Sequence, residues 1–221
     1  MTQNNWMLQP AEVFALSPVI PVMVINDIAH AVPLARALVS GGIRVLEVTL
    51  RTTCALAAIE KIAAQVPEAV VGAGTILNET MLQQAQDAGA QFAITPGATE
   101  ALLNAGKAGR IPLIPGVASI SEVMAGLGHG YHHFKFFPAE ASGGVKALKA
   151  FAGPLGDVRF CPTGGIALHN YLDYLALPNV DCIGGSWIAP VTAMDAGDWA
   201  QITQLCQQAL APLQHPVTAK G

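Results

Sequence analysis

Short apolar runs punctuate the chain at nearly even intervals. They read VIPVMVI from Val19, VLEVTL from Val45, AVVGAGT from Ala69, FAITPG from Phe92, IPLIPGV from Ile111, HHFKFFP from His132, VRFCPTGG from Val158 and DCIGGSWI from Asp181. Their starts lie roughly 19 to 26 residues apart, the span of a strand, a loop and a three-turn helix. Between them fall Ala- and Leu-rich segments with helical spacing, such as AVPLARALVSGG, which stops on paired glycines, and TMLQQAQDAGA, which stops at Gly89. Strand-then-helix units repeated without a break in composition predict one α/β domain over residues 1–221. Either a closed (β/α)8 TIM barrel or a doubly wound sheet fits, and the count and even pitch favour the barrel, with a short N-terminal helix ahead of it. A dinucleotide-binding sheet asks for G-x-G-x-x-G after its first strand, where this chain has NDIAHAV. Residues from about 214 to 221 are expected to form a flexible tail.

Side chains alternate along a strand, so Leu46, Val48 and Leu50 face one way, towards a helix layer. Val45, Glu47, Thr49 and Arg51 face the other, which puts Glu47 inside a barrel and Arg51 at the C-terminal mouth where barrel active sites form. In the sixth run, Phe134 and Phe136 share a face while His133, Lys135 and Phe137 share the opposite one, turning a lysine inward. A lysine with an ordinary pKa of about 10.4 is neutral in roughly one molecule in a few thousand at pH 7, and burial favours the neutral, nucleophilic form. From periodicity alone two readings stand for Lys135 and Glu47: a buried ion pair that fills the interior, or a nucleophile beside its proton carrier. Arg51 taken alone also reads as a solvated charge at a strand end. All three nevertheless point from separate strands into one space.

Glycine pairs follow the last two strands, in PTGGI (Pro162–Ile166) and GGSWI (Gly184–Ile188). Such pairs let backbone N–H groups approach an anion, a following helix turn adds its positive end, and barrels often seat phosphate after strands seven and eight. Glycines also end strands for steric reasons alone. His132 and His133 do not make a metal pair, because adjacent strand residues face opposite sides. Pro96, Pro115, Pro138 and Pro162 read as strand terminators without an N–H donor, with Pro96 and Pro138 also shaping the mouth.

Composition narrows the partners. Hydrophobic residues make up 52% of the chain and charged residues 12%, against about 25% charged in an average soluble domain, which suggests surface buried against another subunit. A net charge of −4 without a Lys/Arg block leaves no grip for nucleic acid or an anionic membrane, and points to small molecules. Cys54, Cys161, Cys182 and Cys206 lack C-x-x-C spacing and read as reduced, buried thiols. MTQNNWMLQPAE has neither a basic start nor a continuous apolar core, and the apolar stretch from Val13 to Ile25 is broken by Pro18 and Pro21. The expectation is a cytoplasmic protein with no secretory signal and no membrane span.

Taken together, VLEVTLRT, VGAGT, FAITPG, FKFFPAE, RFCPTGGI and CIGGSW resemble the 2-keto-3-deoxy-6-phosphogluconate (KDPG) aldolases, which often also act on 4-hydroxy-2-oxoglutarate (KHG), and the match runs nearly end to end. The resemblance implies a (β/α)8 homotrimer without metal or organic cofactor, acting in the last step of the Entner–Doudoroff pathway on a phosphorylated keto acid. It assigns Schiff-base formation to Lys135 and acid/base chemistry to Glu47. Arg51 and Thr75 would hold the pyruvyl carboxylate, Pro96, Phe137 and Thr163 would line the pocket, and Gly164, Gly165, Gly185 and Ser186 would receive the phosphate.

Overall fold

Parallel strands alternate with helices in the computed structural model, which describes residues 6–214. A short helix comes first, α1 (Pro10–Leu16), with Pro10 at its first position and the Gln9 N–H donating to Glu12 Oε2 at 2.6 Å. There follow β1 (Val19–Met23), α2 (Ala31–Ser40), β2 (Val45–Thr49), α3 (Ala55–Gln65), β3 (Val70–Gly74) and α4 (Glu79–Asp87). Next come β4 (Ala93–Ile94), α5 (Glu100–Ala108), β5 (Leu113–Ile114), β6 (Gly116–Val117), α6 (Ile120–Gly128) and β7 (His133–Phe136). The chain continues through α7 (Gly144–Ala152), β8 (Arg159–Pro162), α8 (Tyr171–Leu175), β9 (Ile183–Gly185), α9 (Val191–Asp195) and α10 (Trp199–Gln214). Asn78, Thr99 and Ser119 start α4, α5 and α6 by accepting from the backbone N–H three residues on, which satisfies an otherwise orphaned donor at each helix start.

A six-stranded parallel sheet curls in the order β5-β4-β3-β2-β1-β9, and a three-stranded parallel sheet runs β6-β7-β8. Bridges Phe160↔Val180 and Thr163↔Gly184 join β8 to the β9 segment. The fifth apolar run forms two strands, β5 and β6, separated by Pro115. Thr95 eases that break, because its Oγ1 accepts the Gly116 N–H at 2.9 Å. A side chain at Gly116 would run into the Pro96 carbonyl. Pro115 therefore interrupts its strand, whereas Pro162 is the last residue of β8 and Pro96 and Pro138 follow their strands, as terminators do.

Two apolar layers result. Leu46, Val48, Phe134 and Phe136 pack outward under the helices, while Ile20, Val45, Phe92, Ile94, Ile114, Cys161 and Cys182 fill the inner face of the curl. Val13 and Phe14 of α1 join the inner layer where the strands begin. The face assignments along β2 and β7 thus hold in three dimensions. All four cysteines are free thiols, but Cys54 is only half-buried, with its Sγ 3.1 Å from the Ile25 carbonyl oxygen. Burial pushes the Cys206 thiol up to about 12. Among the described residues no helix is long and apolar enough to cross a membrane.

Candidate active site

Every residue of β2 is buried, yet the strand carries a carboxylate. Glu47 Oε1 accepts a hydrogen bond from Lys135 Nζ at 3.2 Å, and the two side chains are 2% and 7% exposed. Desolvating each ion costs several kcal/mol, offset only where charges pair closely. Room for the carboxylate comes from β3: Glu47 pairs in the ladder with Gly72, and a Cβ at Gly74 would overlap the Glu47 carboxyl group. Lys135 lies between Gly116 and Cys161 in its own ladders, with its Nζ 5.3 Å from the centre of the Phe137 ring. An amine and a carboxylate this close can exchange a proton directly, and the surrounding hydrocarbon keeps bulk water from competing.

Register places the next layer at the strand ends. Thr49 pairs with Gly74, so Arg51 and Thr75 emerge on neighbouring strands just above the pair. Arg51 is exposed, and among the described residues its guanidinium has no acidic partner. Thr75 adopts φ 60°, a left-handed conformation that costs a β-branched residue of order 1–3 kcal/mol and persists where surrounding structure holds it. Pro96 and Phe137 follow β4 and β7 at the same end, with the Phe137 N–H donating to the Val117 carbonyl at 3.0 Å and a cis bond to Pro138.

The bridge Thr163↔Gly184 sets Gly164–Gly165 and Gly185–Ser186 side by side on adjacent strands. Thr163 is buried, Gly164 and Gly165 have φ of 103° and 77°, and Ser186 is exposed. Among the described residues, the N–H groups of Gly164, Gly165, Ile166 and Ser186 donate to no protein acceptor. Consecutive N–H groups left open in such a turn make an anion-binding concavity. The helices beyond are short and begin after intervening turns, at Tyr171 and Val191, so the turns themselves, rather than helix ends, present the donors.

Sequence reasoning overlooked Gly74, whose missing side chain makes space for Glu47. The alternating glycines of VGAGT on the strand beside Glu47 were the available signal. It also left Glu140 of FKFFPAE without a role. Cavities of about 510 and 500 Å³ open elsewhere, around Gln86 and Arg110, and include neither Lys135 nor Glu47. The ion pair beside them, Arg110 with Asp87 at 3.9 Å, is solvent-exposed. His133 faces inward edge-on to Phe14, with ring centres 5.4 Å apart, while His132 is exposed.

A buried amine in contact with a carboxylate, set where parallel strands end, equips an enzyme to form imines with carbonyl substrates. Residues 11–205 match the family model for KDPG and KHG aldolases, and the chain belongs to that family. It is 61% identical to the 2-dehydro-3-deoxy-phosphogluconate aldolase of Pseudoalteromonas atlantica, over 94% of this chain and 97% of that one. It is 58% identical to the KHG/KDPG aldolase of Escherichia coli K12, again over 94% and 97%. The crystal structure of the KDPG aldolase from Legionella pneumophila, with pyruvate captured as a covalent carbinolamine, superposes with a TM-score of 0.91 at 55% identity, covering 92% of this chain and 99% of that one.

Proposed function

We propose that the chain is a class I aldolase that cleaves KDPG to pyruvate and glyceraldehyde 3-phosphate through an imine on Lys135. The observation that carries this reading is the buried contact of Lys135 Nζ with Glu47 Oε1 at 3.2 Å. The Nζ lone pair adds to the C2 ketone, and the resulting carbinolamine loses water to a protonated imine. Glu47 takes the proton of the C4 hydroxyl as the C3–C4 bond breaks, and that bond's electron pair moves into the imine to leave an enamine. The aldehyde departs, Glu47 returns its proton to C3, and water hydrolyses the imine to free pyruvate and the lysine.

Arg51, exposed at the strand ends and without an acidic partner among the described residues, holds the substrate carboxylate by a charge-assisted contact, with Thr75 beside it. Phe137, Pro96 and Thr163 wall the pocket, and the open N–H groups at Gly164 and Gly165, with Gly185 and Ser186, seat the phosphate. The reading needs no metal or cofactor. A second activity, KHG to pyruvate and glyoxylate, is supported by the name of the E. coli relative. The bridges between β8 and β9, and the continuity of β5 with β6 through Pro115, support closure of the two sheets into one (β/α)8 barrel forming a single domain. The sparse charge supports surface buried against further copies of the chain, and the assembly is a homotrimer that works in the cytoplasm, in the last step of the Entner–Doudoroff pathway. Borohydride reduction in the presence of pyruvate, followed by mass spectrometry, is expected to mark Lys135. An unmodified Lys135 sinks the mechanism. Relative kcat/KM on KDPG and KHG ranks the two substrates.

A further inference from the structure

The Thr163–Gly165 turn leaves its donors open but ties its acceptors down. Its carbonyls accept in succession from the Ala139 N–H at 2.8 Å, the Glu140 N–H at 3.1 Å and Asn170 Nδ2 at 3.1 Å. Peptide planes are rigid, so fixing each carbonyl away from the pocket fixes the next residue's N–H towards it. Asn170 is itself held, because its Oδ1 accepts the Ala167 N–H at 2.9 Å. Glu140 is anchored by its side chain: the hydroxyl of Tyr174, a fully buried residue of α8, donates to Glu140 Oε1. Burial first, and Glu140 second, push the Tyr174 phenol above its ordinary range, so it remains a donor. The Glu140 Cβ and Cγ lie against the bare face of Gly165, where an added side chain would collide with them.

We propose that Glu140, braced by Tyr174, and Asn170 are positioning residues that hold this turn as a phosphate receptor and so set the preference for phosphorylated over unphosphorylated substrates. None of the three belongs to the group that reacts with the ketone. The inference rests on the phosphate reading of Gly164 and Gly165. Its content is that anion affinity here is built by restraining carbonyls, since no cationic side chain takes part in the turn's hydrogen bonds among the described residues.

The test compares Tyr174→Phe, Glu140→Ala and Asn170→Ala with the wild-type enzyme in two assays: KM for KDPG, and the half-saturating pyruvate concentration for borohydride trapping, a step with no phosphate. Loss of one restraint is expected to raise the KDPG KM roughly three- to tenfold, the worth of one hydrogen bond, with pyruvate trapping unchanged. Glu140→Gln keeps an acceptor for Tyr174 and is expected to rescue the KM. Equal shifts in both assays, or an unchanged KDPG KM in all three variants, overturn the proposal. Competition by inorganic phosphate on the wild-type enzyme separates the two ideas. If phosphate competes but the variants behave as wild type, only the restraints fall; if it does not compete, the phosphate seat itself falls and this inference with it.

Discussion

Removing the amine of Lys135 should expose how much the fold depends on the pair. Glu47 and Lys135 are 1% and 6% exposed, and they are each other's hydrogen-bond partner across the interior. In Lys135→Met the hydrocarbon stem is kept and the charge is lost, so the Glu47 carboxylate stays in a dry site with no countercharge. Breaking a buried pair in this way costs about 3–5 kcal/mol. For a chain of this size each kcal/mol moves the melting midpoint by about 2–4 °C, which gives a fall of roughly 6–20 °C. Lys135→Met/Glu47→Leu removes both charges, and apolar replacements of a buried pair are often neutral or stabilising. The double variant is therefore expected to melt near the wild type, while both variants release no pyruvate. Circular dichroism melts at fixed protein concentration, with a coupled pyruvate assay on the same samples, make the measurement. A single variant that melts with the wild type, or a double variant as unstable as the single, refutes the claim that this is a desolvated charge pair.

Four further outcomes follow from the same geometry. Gly74→Ala places a methyl group against the Glu47 carboxyl, so turnover should fall while stability drops by about 1–3 kcal/mol from overpacking; full activity would show that Glu47 is free to move. Thr75→Asn relaxes the left-handed backbone and is expected to raise stability by about 1 kcal/mol while lowering kcat/KM, and a more active variant would count against a role for Thr75. Glu47→Gln should slow turnover but still allow borohydride trapping at Lys135, whereas unchanged turnover excludes proton transfer by Glu47. His133 has a pKa lowered chiefly by burial, with Asp181 opposing. The unfolded chain therefore takes up its proton first as pH falls below about 6.5, and stability drains until the folded-state pKa is passed. His133→Gln should flatten the decline of the melting midpoint between about pH 7 and 5, and an unaltered pH profile would show that His133 is not its source.

Much of the site was legible because strand periodicity is a short-range property. Alternation along VLEVTL and HHFKFF was enough to send Glu47 and Lys135 to one face and Leu46, Val48, Phe134 and Phe136 to the other, and the inner and outer layers follow that division. The break at Pro115 was not legible, since continuation of pairing on both sides depends on Thr95, contributed from another strand, accepting the Gly116 N–H. The left-handed Thr75 left no mark either: threonine is a poor candidate for that conformation, which falls just past the last ladder pair, Thr49 with Gly74. Glu140, Asn170 and Tyr174 were missed for a related reason. Their effect on the glycine turn runs through hydrogen bonds to backbone carbonyls and to one another, which no spacing rule encodes.

The inner apolar layer, with Val13 and Phe14 of α1 set against it where the strands begin, makes the interior a cul-de-sac. Lys135 pairs in the ladder with Cys161 of that layer, so under the proposed closure of the barrel a molecule joined to it leaves by the strand ends that carry Arg51 and Thr75. On the proposed mechanism the fragment bearing the imine lies deepest and the departing aldehyde lies between it and solvent, which imposes a queue: aldehyde leaves first, pyruvate second. Run in reverse, pyruvate must enter ahead of the aldehyde, and excess aldehyde should slow synthesis by standing in the doorway.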